Sequence, residues 1–134
     1  MTRSWDTHWK ALKFSLQALA QSAAYQHRLL SVWSENVEEL PERFSHAERR
    51  LRLGVKSEFT ADQQKALAAM RACFESFCGP QNSEHWQEAS LDSSPHWESV
   101  RHLAVQCLIA FEWPMIPPPL ELAAYGEDYS EDVK

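Results

Sequence analysis

Apolar residues return at alternating steps of four and three along the first part of the chain: Trp5, Trp9, Leu12, Leu16, Leu19, Ala23, Gln26, Leu30, Trp33, Val37 and Leu40. Gln26 alone among them is polar, and no Gly or Pro interrupts before Pro41. This is a heptad seam, the stripe a helix keeps against neighbouring helices, and it predicts an all-α fold. A single helix over residues 5–40 would run to roughly 54 Å at about 1.5 Å per residue. A compact chain of this length is only about 36 Å across. The seam is weakest at Gln21–Ala24, so the pattern predicts two helices, over 4–21 and 24–40, folded back as an antiparallel hairpin.

The periodicity restarts after Pro41. Ser45-His46-Ala47-Glu48 has the form of a capping box and predicts a helix over 45–54, which Gly54 weakens or ends. A second box, Thr60-Ala61-Asp62-Gln63, opens a helix over 61–78 with Leu67, Met70, Phe74 and Phe77 on its buried side. Gly79-Pro80 closes it. Residues 80–93 are polar and weakly periodic, and read as a loop with one turn around Trp86. Ser94-Pro95 then starts a helix over 95–112. From Leu103 to Phe111 only Gln106 is polar, which places this helix at the centre of the bundle.

Trp113-Pro114-Met115-Ile116-Pro117-Pro118-Pro119 cannot continue a helix. It reads as a polyproline strap over the bundle with Met115 and Ile116 tucked in, the alternative being a Pro114-x-x-Pro117 ligand for an aromatic groove. Leu120–Tyr125 reads as a last turn. The expected organisation is one bundle of about five helices over 1–120 and an acidic tail over 121–134.

Composition narrows the partners. The 134 residues are 44% hydrophobic and 24% charged, ordinary for a globular domain. Thirteen Lys and Arg against nineteen Asp and Glu give a net charge of −6. That balance argues against general nucleic-acid binding, which needs surplus positive charge, and suits a basic protein partner. The first residues, MTRSWDTHWK, show no hydrophobic signal region. No apolar run reaches the roughly eighteen residues a membrane span needs. The expectation is a cytoplasmic protein without membrane contact. Cys73, Cys78 and Cys107 have no metal-like spacing and read as buried, reduced thiols. Of six tryptophans, Trp5, Trp9 and Trp33 fall on the seam. Trp86, Trp97 and Trp113 flank loops, where a ring either anchors a partner or caps the bundle.

Catalytic signatures are sparse. There is no G-x-S-x-G elbow, no phosphate-cradling Gly-rich loop and no H-E-x-x-H, and the Glu-x-x-His spacing of di-iron bundles is absent. Arg3-x4-His8 fits the loose pattern of some helical ribonucleases, but sits at the chain end and not at the start of a later helix. His96 and His102 are six apart, on different helical faces. No cofactor or metal is expected. Arg49, Arg52 and Lys56 share a helical face, which reads as solvated with local ion pairs. The acidic end differs: Tyr125 and Tyr129 lie among Glu121, Glu127, Asp128, Glu131 and Asp132. Carboxylates around tyrosine rings can imitate a nucleic-acid substrate or clamp a basic active site; a solubilising tail is the plainer reading. The candidate partner-binding residues are Tyr125, Glu127, Asp128, Tyr129, Glu131 and Asp132, with Trp86 and Trp113.

The run Leu16-x-x-Leu19…Tyr25-x-x-x-Leu29-Leu30-Ser31, followed by Arg50-Leu51-Arg52-Leu53-Gly54 and Glu58-Phe59, resembles the small all-helical immunity proteins that neutralise bacterial toxins delivered by type VI secretion. The likeness spans residues 12–72. It implies a non-catalytic inhibitor that binds a toxin and occludes its active site; the acidic charge suits a basic cleft in that partner, and the oligomeric state, monomer or homodimer, stays open. Two other readings stay open: a phage-type inhibitor or regulatory adaptor of a nucleoprotein complex, and a small helical nuclease or metal enzyme.

Overall fold

The structure is a computed structural model and describes residues 5–120. Among these residues there are six α-helices: α1 (Asp6–Leu19), α2 (Ala23–Trp33), α3 (Glu39–Val55), α4 (Ala61–Ser76), α5 (Ser90–Ser93) and α6 (Pro95–Phe111). Turns of 3₁₀ helix fill Lys56–Glu58 and Pro80–Trp86, and no described residue is in a strand. The chain is thus all-α, and no described helix is long and apolar enough to cross a membrane.

Helix α1 occupies the centre. Its buried face is wide (His8, Ala11, Leu12, Ser15, Leu16 and Leu19), and α3 and α6 both pack along it. The break after α1 falls at Ala20–Ser22, where the Ser22 hydroxyl accepts from the Tyr25 N–H and opens α2. The expected hairpin is corrected in one respect. Beyond the turn α1 and α2 meet little, because α1's face is already taken and α2 lies against α5 instead. Gln26, the polar residue of the seam, explains how the corner holds. Its side-chain amide donates to the Ala18 and Leu19 carbonyls, satisfying the end of α1, and its oxygen accepts from Arg101 on α6. Arg101 also donates to the Leu91 carbonyl of α5. Burial lowers the Arg101 pKa, opposed by Glu98 and Asp92.

Three other expectations are corrected. The second helix stops at Trp33 and not at 40, because Ser34 takes a left-handed conformation (φ 57°, ψ 44°) and closes it. Pro41 lies in the first turn of α3, where a helix needs no N–H from it; the Glu42 N–H bonds Glu38 across it. Helix α3 therefore starts at Glu39, six residues before the proposed Ser45–Glu48 box, and both of those residues lie inside it. Gly54 stands next to the last residue of α3, Val55, within one residue of the predicted end. It leaves room for Trp5, whose ring atoms would come within 2.1 Å of a Cβ placed there. Finally, α6 is not enclosed: Trp97, Val100, Ala104, Cys107 and Leu108 are buried, while Gln106 and Ile109 face solvent.

The remaining starts follow local chemistry. Thr60 and Gln63 exchange both bonds of a capping box at α4. Ser94 caps α6 through the His96 N–H, with Pro95 in the first turn.

Candidate protein-interaction surface

Residues 113–119 form neither helix nor strand, and hydrogen bonds hold them against α1 and α2. Four of the six residues from Pro114 to Pro119 are prolines and bring no N–H, so their carbonyls must be held by donors from elsewhere. Gln17 of α1 donates to the Pro114 carbonyl at 2.9 Å, and Tyr25 of α2 donates its hydroxyl to Pro118 at 2.7 Å. The Trp33 indole N–H reaches the Leu120 carbonyl at 3.1 Å, and Gln21 makes a longer 3.5 Å contact to Met115. Pro118 is buried. Met115 and Ile116 are not tucked in: they stand 50% and 58% exposed. The donors take strap carbonyls, and these two adjacent side chains stand outward.

The two tryptophans singled out in the sequence sit at different places. Trp113 is half-buried, stacked on Phe111 with ring centres 4.5 Å apart and edge-on to Trp9. It fixes the start of the strap. Trp86 is half-buried at the end of the Pro80–Trp86 turn, stacked on Phe77 at 4.8 Å, and its indole N–H donates to the Phe77 carbonyl at 2.7 Å. Trp97 is fully buried. Tyr125, Glu127, Asp128, Tyr129, Glu131 and Asp132 lie outside the described residues, as does the last turn expected over 120–125 beyond Leu120.

Several histidines make ring-packing or pairing contacts. His8 is buried with its ring 5.1 Å from Trp5. His96 stacks on Phe77 at 4.7 Å and meets His85 edge-on, while His85 Nδ1 lies 3.1 Å from the Ser94 hydroxyl. His27 pairs with Asp92 at 2.8 Å, joining α2 to α5. Among the described residues no three His, Cys, Asp or Glu side chains are placed to hold one metal ion. The cysteines are free. Only Cys107 is buried; Cys73 is half-buried and Cys78 exposed, because α4 ends at Ser76 and leaves Cys78 beyond it. Burial, with the Glu48 charge adding, pushes the Cys107 thiol up to about 12.

Glu48 is the most enclosed carboxylate described. At 1% exposure it accepts from Arg52 at 2.9 Å and from Arg71 of α4 at 2.6 Å. Arg52 is thereby engaged in an ion pair, as expected of that basic face. Nothing in the sequence marked Glu48 as buried. The donors to the strap were legible only in hindsight: a proline run needs outside donors, and Gln17, Gln21 and Tyr25 recur at intervals of four.

No family model, curated protein or solved structure matches this chain.

Proposed function

We propose that the protein is a stoichiometric inhibitor that binds a partner enzyme and covers the cleft in which that enzyme works, with no chemistry of its own. One observation carries this reading: the strap is tied to α1 and α2 by side-chain donors and holds Met115 and Ile116 outward. Two neighbouring exposed apolar side chains contribute little to folding. On a segment already fixed by prolines and hydrogen bonds, they lose little freedom on docking, which favours tight association. Burying the exposed half of each contributes on the order of 1 kcal/mol, enough to make the pair an anchor.

The charge fits. A net charge of −6 steers the protein toward a basic cleft and speeds the encounter. The carboxylates and tyrosines of 125–132 follow the strap directly in sequence. The resemblance of residues 12–72 to type VI immunity proteins suggests the partner class, a bacterial toxin.

The test is co-purification with the product of the adjacent gene, followed by affinity measurement. Joint Met115→Asp and Ile116→Asp substitution should weaken binding by about tenfold or more with the helical circular dichroism unchanged. Unchanged affinity would remove the strap from the interface. Deletion of residues 121–134 tests the acidic segment separately, by the salt dependence of the association rate.

A further inference from the structure

From Leu103 to Phe111 every residue of α6 except Gln106 is apolar, the composition of a helix enclosed on all sides. The described residues cover only part of it. Helices α1 and α4 pack along one side, while Ile109 stands 54% exposed with Gln106 exposed beside it. Together with Leu103 and Ala110, and with Ala66 and Ala69 of α4, they line an open groove of about 390 Å³. The small side chains on the α4 side let a further helix approach closely.

Charge says what fits there. The α4 side of the groove carries Asp62 and Lys65, opposite in sign and one turn apart. Both are exposed, and among the described residues neither side chain is held in an ion pair or hydrogen bond. Helices α4 and α6 run antiparallel: Gln63 donates to the Ala110 carbonyl at 3.2 Å, and the Cys107 thiol lies 3.5 Å from the Ala66 carbonyl. The midpoint between Asp62 and Lys65 is therefore level with Ile109 and Ala110. A twofold axis crossing both helices at that level lays α4 antiparallel against α4 of a second copy. It sets each Asp62 opposite the partner's Lys65 and each Ile109 against its own counterpart. A partner surface of a single sign would face its like at Asp62 or at Lys65. A second copy compensates both charges and covers the protruding isoleucine.

We propose that the α4–α6 groove is where two copies of this chain associate, as an isologous dimer centred on Ile109. The surface is separate from the strap, since none of the described residues lining the groove belongs to α1, α2 or residues 113–119. The inference therefore does not rest on the inhibitor reading.

The full chain is sedimented to equilibrium at low ionic strength, where exposed charges are least screened, over concentrations from about 1 µM to 1 mM. The weight-average mass should rise from that of one chain toward that of two. Ile109→Asp should weaken the dimer by about tenfold or more with helical circular dichroism unchanged. Asp62→Lys opposes lysine to lysine across the axis, and Lys65→Asp opposes aspartate to aspartate. Either alone should weaken association by about fivefold or more. An equimolar mixture of the two single variants should recover it, because each chain then meets only opposite charges across the interface. The charges within each helix stay as they are in the single variants, so recovery reads the interface alone. A monomer at every concentration, a dimer indifferent to Ile109→Asp, or a mixture no tighter than the single variants would each overturn the proposal. Such a failure would leave the inhibitor reading standing. Failure to find an inhibited partner would leave the dimer result intact.

Discussion

Tyr25 donates its phenolic hydroxyl to the Pro118 carbonyl across 2.7 Å, joining residues 93 apart in the chain. The bond closes the strap over the corner between α1 and α2, so replacing Tyr25 separates stability from anchoring. Tyr25→Phe should cost about 1 kcal/mol of unfolding free energy, read from urea denaturation. It should also raise the methyl mobility of Met115 in NMR relaxation and speed partner dissociation more than it slows association. An unchanged Met115 methyl would show that the bond does not order the strap.

Glu48 gives a second prediction. Its carboxylate is nearly sealed, while the side chains of Arg52 and Arg71 keep 36% and 37% exposure. Removing one member of a fully buried pair costs about 3–5 kcal/mol. Here the stranded guanidinium groups can turn to water, so Glu48→Gln should destabilise by about 2 kcal/mol. Arg71→Gln should cost less, because Arg52 still compensates the charge. Equal losses would mean that solvent screens the pair more than its geometry suggests.

Gly54 offers a change of sign. It lies within α3 under the Trp5 ring. Alanine there gains about 1 kcal/mol of helix propensity but drives its Cβ into the indole. In the presence of Trp5, Gly54→Ala should destabilise. In a Trp5→Ala background the same substitution should stabilise by about 1 kcal/mol, and thermal unfolding of the double-mutant cycle reads the difference. Additivity within error would contradict the contact.

Cys107 makes stability depend on pH at the alkaline side. Its thiol is raised from the ordinary 9.0 to about 12, so the folded state holds this proton more tightly than the unfolded state. The stability it contributes is complete below about pH 9 and is lost as pH rises toward about 12. Between pH 9 and 11 the urea midpoint of the wild type should fall more steeply than that of Cys107→Ala. At pH 8 a thiol reagent should label Cys78 first and Cys107 only on unfolding. Parallel slopes would show that Cys107 reaches solvent in the folded state.

The helical class was legible in the sequence because apolar spacing follows directly from the helix repeat. The starts of α4 and α6 were legible because Thr60, Gln63, Ser94 and Pro95 act on their own neighbours. Pro41 misled, since a proline signals the first turn of a helix as well as the end of one, and only the tertiary placement of Val37 and Leu40 decides. The strap's hydrogen bonds, the burial of Glu48 and the seat of Trp5 on Gly54 join residues distant in sequence, which no local pattern records. The outward turn of Met115 and Ile116 belongs to the same kind. Apolar character predicts burial, yet both side chains stand exposed while donors from α1 and α2 hold the neighbouring carbonyls. Gln26 is of this kind too: its place in the seam was read, but not its bonds to Ala18, Leu19 and Arg101.

Titration of the adjacent gene product with this protein, following the partner's enzymatic activity, is the most direct measurement. Inhibition without catalysis predicts activity falling linearly to zero at one equivalent, and the inhibitor recovered chemically unchanged. Full activity at large molar excess, or substoichiometric inactivation with turnover, would contradict it.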